Sequence, residues 1–433
     1  MHRNAIPLNV VYRNEVIAML RLALPIYVEL LTAVVAVGVI DLFWVSGLGA
    51  AAIAAVTVGT TAEYLAYGLF LAVPTGITVL IGRRDGTAPL APVIRTGWAL
   101  WAAFSLAIAV PGVLLREPLA ALFTDSPALT ADFFLISLAG LPVFFAQTVV
   151  DGILKGLGNT TTPMRNALIC NGLVIALDPL FIYGLDLGVQ GAALATVLAR
   201  LITLLIALLS VVRLRSPGRG LVAGTVIRTG LPMSGDFLAR SLVGMALVEI
   251  VAGFGTAEVA GYGIGQKIML AGVMVFYALR QAAMIRTARS ESAGSPLWLG
   301  LGSGAVVAIV LNVAATPVAG LFTADPEVAV GFLRWMTLYL VPFGGLIAVG
   351  GVLQASGRGS RLLAATLAGF AVQLPLAYLL SSWLGVTGVW LSMAAGASIS
   401  LAGALARRAD APGSARDRAP RSTRTAADPP SGR

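Results

Sequence analysis

Residues 22–46 read LALPIYVELLTAVVAVGVIDLFWVS. The stretch exceeds the roughly 20 residues that an apolar helix needs to cross a bilayer, and its only charges are Glu29 and Asp41. Runs of the same kind recur at 52–81, 96–115, 129–150, 164–185, 188–212, 229–254, 258–283, 296–318, 330–354, 362–383 and 385–406. Twelve membrane spans are therefore expected. The whole chain of 433 residues is 58% hydrophobic and 11% charged, against about a quarter charged in soluble proteins, which excludes a soluble enzyme. The first run is too long for the apolar segment of a signal peptide, and no small-residue cleavage site follows it.

Charge placement gives an orientation. The net charge is +9, but the basic residues lie between apolar runs rather than on a polar domain, so no nucleic-acid partner is expected. With the N-terminus cytoplasmic, most of the 29 Lys and Arg fall on the inside, including Lys155, Arg165, Arg280, Arg286 and Arg289. Arg200, Arg240 and Lys267 fall within spans. A multi-pass protein of the plasma (inner) membrane with both termini cytoplasmic is the expectation.

The chain also repeats. Leu24-Pro25 returns as Leu231-Pro232, Leu122-Phe123-Thr124 as Leu321-Phe322-Thr323, and Gly152 with Gly158 as Gly351 with Gly357, each pair about 200 residues apart and in order. Such a repeat predicts an all-α integral membrane protein of two pseudo-symmetric six-helix lobes related by an axis along the membrane normal. The expected division is a cytoplasmic segment 1–21, an N-lobe 22–212, a cytoplasmic loop 213–228, a C-lobe 229–406 and an Arg-rich disordered tail 407–433.

Cys170 and His2 are the only residues of their kinds, which excludes an intramolecular disulfide, a thiolate-clustered metal site and the usual neutral-pH proton carrier. Ion chemistry falls to carboxylates. Asp41 lies about 30 Å of helix beyond Arg21, and Asp178 about 20 Å beyond Arg165, so both occupy the outward half of the membrane. Thr196, about 14 Å inward from the start of its span, shares that level. Two carboxylates at one level repel each other unless a shared proton or a bound Na⁺ relieves them. Asn171, seven residues before Asp178, lies about 20° off the same face and could add an amide one turn deeper.

Particular strings carry a resemblance: Gly152-Ile-Leu-Lys-Gly-Leu-Gly158-Asn-Thr-Thr-Thr-Pro163, Leu177-Asp178-Pro179, Gly188-Val-Gln-Gly191-Ala-Ala-Leu-Ala-Thr196, and the opening Leu22-Ala-Leu-Pro25 with Val39-Ile-Asp41-Leu-Phe-Trp-Val45. From residue 15 to about 400 the chain resembles the multidrug and toxic compound extrusion (MATE) transporters, and its N-lobe acids resemble the branch named for DNA-damage-inducible members (DinF-like). The resemblance implies a V-shaped pair of lobes that exchange H⁺ or Na⁺ for organic, often cationic, compounds. It implies that Asp41, Asp178 and Thr196 belong to the coupling site, and that the first helix bends at Pro25 when the acid is protonated. Where the family has Asn four residues before the second acid, this chain has Val174, which favours H⁺ over Na⁺.

Further intramembrane charges widen the candidate list. Glu29 and Glu63, with Tyr64 and Tyr67, suit an acidic, aromatic cavity wall for organic cations. Asp236 and Glu249 read either as substrate contacts or as halves of structural pairs with Arg240 and Lys267. The expected activity is cation-coupled efflux of small organic compounds by a monomer that needs no cofactor beyond its coupling ion. A flippase for lipid-linked intermediates is the alternative, disfavoured by the few basic residues within spans. A membrane-embedded enzyme or a channel is more remote, given the missing His, Cys or metal cluster and the two-lobe repeat.

Overall fold

The computed structural model describes residues 8–124, 127–212, 214 and 218–406. The expectations for residues 1–7 and for the tail 407–433 lie outside the described residues. Twelve helical passes follow the twelve apolar runs. The first bundle holds α1 (Leu8–Leu30, a π turn Leu31–Ala36, then Val37–Val45), α2 (Ala50–Phe70 and Ala72–Arg84) and α3 (Ala91–Leu114). It continues with α4 (Pro127–Ala139 and Leu141–Gly156), α5 (Thr161–Pro179, then a π turn Leu180–Gly184) and α6 (Gly188–Val211). The second holds α7 (Ala223–Ala252), α8 (Thr256–Ala288), α9 (Pro296–Ala319), α10 (Glu327–Trp335 and Thr337–Ala355), α11 (Gly359–Leu384) and α12 (Val386–Leu405). Among the described residues, nine single helices and two bent pairs are long and apolar enough to cross a membrane. The remaining one, α7, has the length at 30 residues but carries Arg228, Asp236, Arg240 and Glu249.

The bend in α2 falls where another helix satisfies the freed backbone. The two parts of α2 meet at 42°, and the N–H of Ala72 at that break donates to Ser234 Oγ of α7 at 2.8 Å. Without such a partner a broken hydrogen bond inside a bilayer costs several kcal/mol. Here α7 also approaches so closely that a Cβ on Gly230 would collide with the carbonyl of Ala72. Pro25 does not break α1, which passes through it as regular helix; the irregular turn falls at Leu31–Ala36 instead.

Burial divides by half-chain. One apolar core runs from Val45 to Val226 and a second from Val243 to Ala397. The bundles meet at the end where α1 begins. Met19, Ala23 and Ile26 of α1 pack on Ala278, Leu279 and Ala282 of α8, and Val79 of α2 packs on Met284 and Ala288. Polar contacts close the same end: Asp85 pairs with Arg289 at 2.6 Å, Arg83 Nη2 donates to the carbonyl of Ala355 at 2.5 Å, and Ser292 Oγ donates to Glu15 at 2.6 Å.

Candidate functional site

A cavity of about 250 Å³ lies inside the first bundle, lined by α1, α2, α4, α5 and α6. The π turn in α1 explains why two acids of one helix both reach it. Glu29 and Asp41 are twelve residues apart, which on a regular helix sets them about 120° apart; a π turn absorbs one residue and brings them within about 20°. Both line the cavity. In α5 the acid is followed by Pro179, whose missing N–H ends the regular hydrogen bonding, and the helix finishes as the π turn Leu180–Gly184.

Asp41 and Asp178 lie near enough for each carboxyl to feel the other's charge. Asp178 is fully buried and Asp41 is 5% exposed. Asn171 and Thr196 line the cavity beside them; the Asn171 amide donates to the carbonyl of Ala167 at 2.9 Å. Five buried oxygens of these residues have no protein hydrogen-bond partner: Asp41 Oδ1, both oxygens of Asp178, Asn171 Oδ1 and Thr196 Oγ1; Asp41, Asn171 and Thr196 line the cavity, and Asp178 is buried behind its wall. A buried polar atom without a partner costs about 1–3 kcal/mol, so the cluster is stabilised by whatever supplies positive charge or a proton. Hard carboxylate, amide and hydroxyl oxygens suit H⁺ or Na⁺. Val174 is fully buried on the cavity wall and contributes no oxygen. Among the described residues no group of three or more His, Cys, Asp or Glu could hold a further metal ion.

The other acids of this cavity are partnered. Glu63 accepts from Arg200 of α6 at 2.9 Å, and the Arg200 guanidinium stacks over Phe144 at 4.6 Å. Glu63 therefore does not add a bare negative charge to the wall as its sequence position suggested. Glu29 accepts from Lys155 at 2.7 Å, so Lys155 is a buried member of α4 and not a residue of the cytoplasmic rim. Tyr64 and Tyr67 line the cavity, Tyr67 against Phe144 at 5.3 Å and against Phe237 of α7 at 6.2 Å.

The second bundle is arranged differently. Asp236 accepts from Arg240 at 3.0 and 3.3 Å, from Arg280 at 2.9 Å and from the Thr366 hydroxyl at 2.9 Å. It lines neither this cavity nor the one beside it. Arg280 also corrects the orientation argument, since it is 2% exposed inside α8 and not in a loop. Glu249 and Lys267 are both exposed, line neither cavity, and show no ion pair among the described residues; the pairing proposed for them is not formed. A cavity of about 230 Å³ in this bundle is lined by Arg240, Tyr262, Tyr277, Tyr339 and Phe343. The sequence reading missed Arg200, Lys155 and Arg280 as partners of acids. The i,i+4 spacing of Thr196 and Arg200 was a signal for the first; the other two depend on helices distant in sequence.

Comparison with known proteins agrees with this architecture. The MatE family profile matches residues 25–180 and again 232–379, once in each half. Similar proteins include the FAD transporter of Shewanella oneidensis MR-1, 27% identical over 413 residues covering 87% of this chain and 90% of that one. The probable multidrug resistance protein YpnP of Bacillus subtilis is 23% identical over 390 residues, covering 82% and 86%. Among solved structures, a mutant of the Vibrio cholerae MATE transporter VcmN superposes with a TM-score of 0.80 at 22% identity, over 91% of this chain and 96% of that one. With the profile matched over most of the chain and twelve helical passes, this chain belongs to the MatE family and is a multi-pass membrane transporter of small compounds, not an enzyme.

Proposed function

We propose that the protein is a proton-coupled antiporter of the DinF-like branch that exports organic cations or cationic amphipathic compounds by alternating access. One observation carries the reading: five buried oxygens of Asp41, Asp178, Asn171 and Thr196 have no partner, and three of these four residues line the same cavity. A proton satisfies two neighbouring carboxyls with a single hydrogen bond, whereas Na⁺ prefers more oxygen ligands than a site flanked by Val174 offers. In this reading the termini are cytoplasmic, residues 22–212 and 229–406 are the two lobes of a monomer in the plasma membrane, and the arrangement closed by Asp85–Arg289 is outward-facing.

Protonation of the pair from outside removes its negative charge and with it the attraction for a cationic cargo, which leaves outward. One pH unit is worth about 1.4 kcal/mol, about a tenfold cargo gradient for each proton exchanged against one monovalent cation, an exchange that moves no net charge across the membrane. The test is efflux from proteoliposomes under an imposed pH gradient. Transport should follow the gradient in the native protein and lose that dependence in Asp41→Asn; undiminished, gradient-driven transport by the variant refutes the mechanism.

A second reading has its own support. Arg240 lies over the rings of Phe343 and Phe370 at 5.1 and 5.7 Å beside three tyrosines, a setting that suits an anionic aromatic cargo, the class to which FAD of the Shewanella relative belongs. Competition of FAD against an organic cation in the same vesicles separates the two.

A further inference from the structure

The end of the first-bundle cavity away from Asp41 carries polar atoms that the Asp41–Asp178 site does not use. Glu29 is 8% exposed; its Oε1 meets Lys155, while Oε2 is buried without a partner. On α4, Asp151 accepts a 3.1 Å hydrogen bond from Gln147 Nε2, and Gln147 Oε1 has no partner. On α5, Asn166 is 2% exposed with both side-chain polar atoms unpartnered. All four residues line the cavity. Three helices thus bring carboxylate and amide oxygens to one end of it, a donor set for a cation.

The charges there are unbalanced. Glu29 and Asp151 lie within Coulombic reach of each other and of Lys155, which leaves one negative charge when all three are ionised. The other charged groups facing the cavity are the Glu63–Arg200 pair and Asp41 at its far end, with Tyr64 and Tyr67 on α2; α8 of the second bundle contributes only the neutral Gln281. Lys155 sits between the two bundles: its ammonium donates to Glu29 at 2.7 Å and to Gln281 at 3.0 Å. Holding Lys155 against Glu29 therefore depends in part on the bundles being together at this end.

We propose that Glu29, Gln147, Asp151 and Asn166 form an inner cation station that receives a monovalent cationic group, and that Lys155, drawn in by Gln281 when the bundles meet, displaces it. When the bundles part at this end, Gln281 withdraws, Lys155 loses one of its two partners, and the station can accept a cation from the cytoplasm. On closure the ammonium returns and drives that cation toward Asp41. The proposal rests on the antiporter reading above. The cation is either the charged head of the cargo or the coupling ion, and both demand the same oxygens.

The test is fluorescence titration of the purified full-length protein with ethidium, in choline chloride or NaCl at pH 6 and pH 8. If the station takes the cargo head, Asp151→Asn and Gln147→Met weaken ethidium binding about tenfold, while Lys155→Met, and less so Gln281→Leu, tighten it. If it takes the coupling ion, the same variants leave ethidium affinity at the native value in choline at pH 8 but abolish part of its dependence on pH or Na⁺. Gln147→Met changes no charge, so its effect does not depend on a variant with an unpaired buried ion folding, and thermal unfolding midpoints check all four. Native affinity and native pH and Na⁺ dependence in Asp151→Asn, Gln147→Met and Lys155→Met overturn the station if Asp41→Asn still alters them. If Asp41→Asn is also without effect, the antiporter reading itself fails.

Discussion

Glu29 and Asp236 stand at matching places in the two halves, each four residues after a repeated Leu-Pro, and their surroundings are opposite. Asp236 receives four hydrogen bonds from Arg240, Arg280 and Thr366 and is closed to any ligand. Glu29 has a single lysine and one oxygen to spare. Further along the same pair of helices the divergence grows. Asp41 reaches the cavity because the π turn absorbs a residue, whereas α7 is regular throughout. Eleven residues after Asp236 the corresponding face is taken by Leu247, 2% exposed, and Glu249, two residues on, lies on the other side of the helix. The two halves share a repeated sequence pattern, but buried acids with unpartnered oxygens occur, among the described residues, in the first half only. A buried acid serves as an anchor when its oxygens are saturated and can exchange ions when they are not.

This contrast can be broken by substitution. The largest effect on stability is expected for Asp236→Ala, which leaves Arg240 and Arg280 buried without their anion and should cost about 3–5 kcal/mol, read as a fall in the thermal unfolding midpoint or loss of folded protein. Asp41→Asn should do the reverse, with an unfolding midpoint near the native value and gradient-driven efflux reduced at least about tenfold, a transition-state loss above about 1.4 kcal/mol. Native stability in the Asp236 variant would dissolve the distinction between anchor and exchange site. Val174→Asn should sharpen it by adding an oxygen next to Asp178, visible as Na⁺-dependent stabilisation that the native protein lacks. The smallest change is expected for Thr196→Val, which removes one hydroxyl from the cluster and should weaken cation affinity by about 1 kcal/mol, measured as a several-fold shift in the proton concentration that half-drives transport.

Hydropathy is summed along the chain, so the twelve passes were legible in the sequence and each predicted run has its helix. That Asp41, Asn171 and Thr196 could come together was legible too, because rise per residue converts sequence distance into position along a helix, and the three line one cavity. Azimuth was not. A π turn leaves no mark in hydropathy, so the irregular turn of α1 at Leu31–Ala36 was not foreseen. Nor could Lys155 and Arg280 be told from rim residues: a basic residue near the end of an apolar run reads as cytoplasmic until a carboxylate from another helix is found against it.

By itself, then, the sequence determined that the chain crosses a membrane in two repeated halves and which acids lie within its apolar runs. Those properties follow from local composition and from spacing along single helices. Only the tertiary structure decided which acids are saturated and which keep free oxygens, since that depends on what helices distant in sequence bring to the same few ångströms. The same reason separates Asp236, fixed by Arg280 of the neighbouring helix, from Asp41 and Asp178, which keep oxygens without a partner.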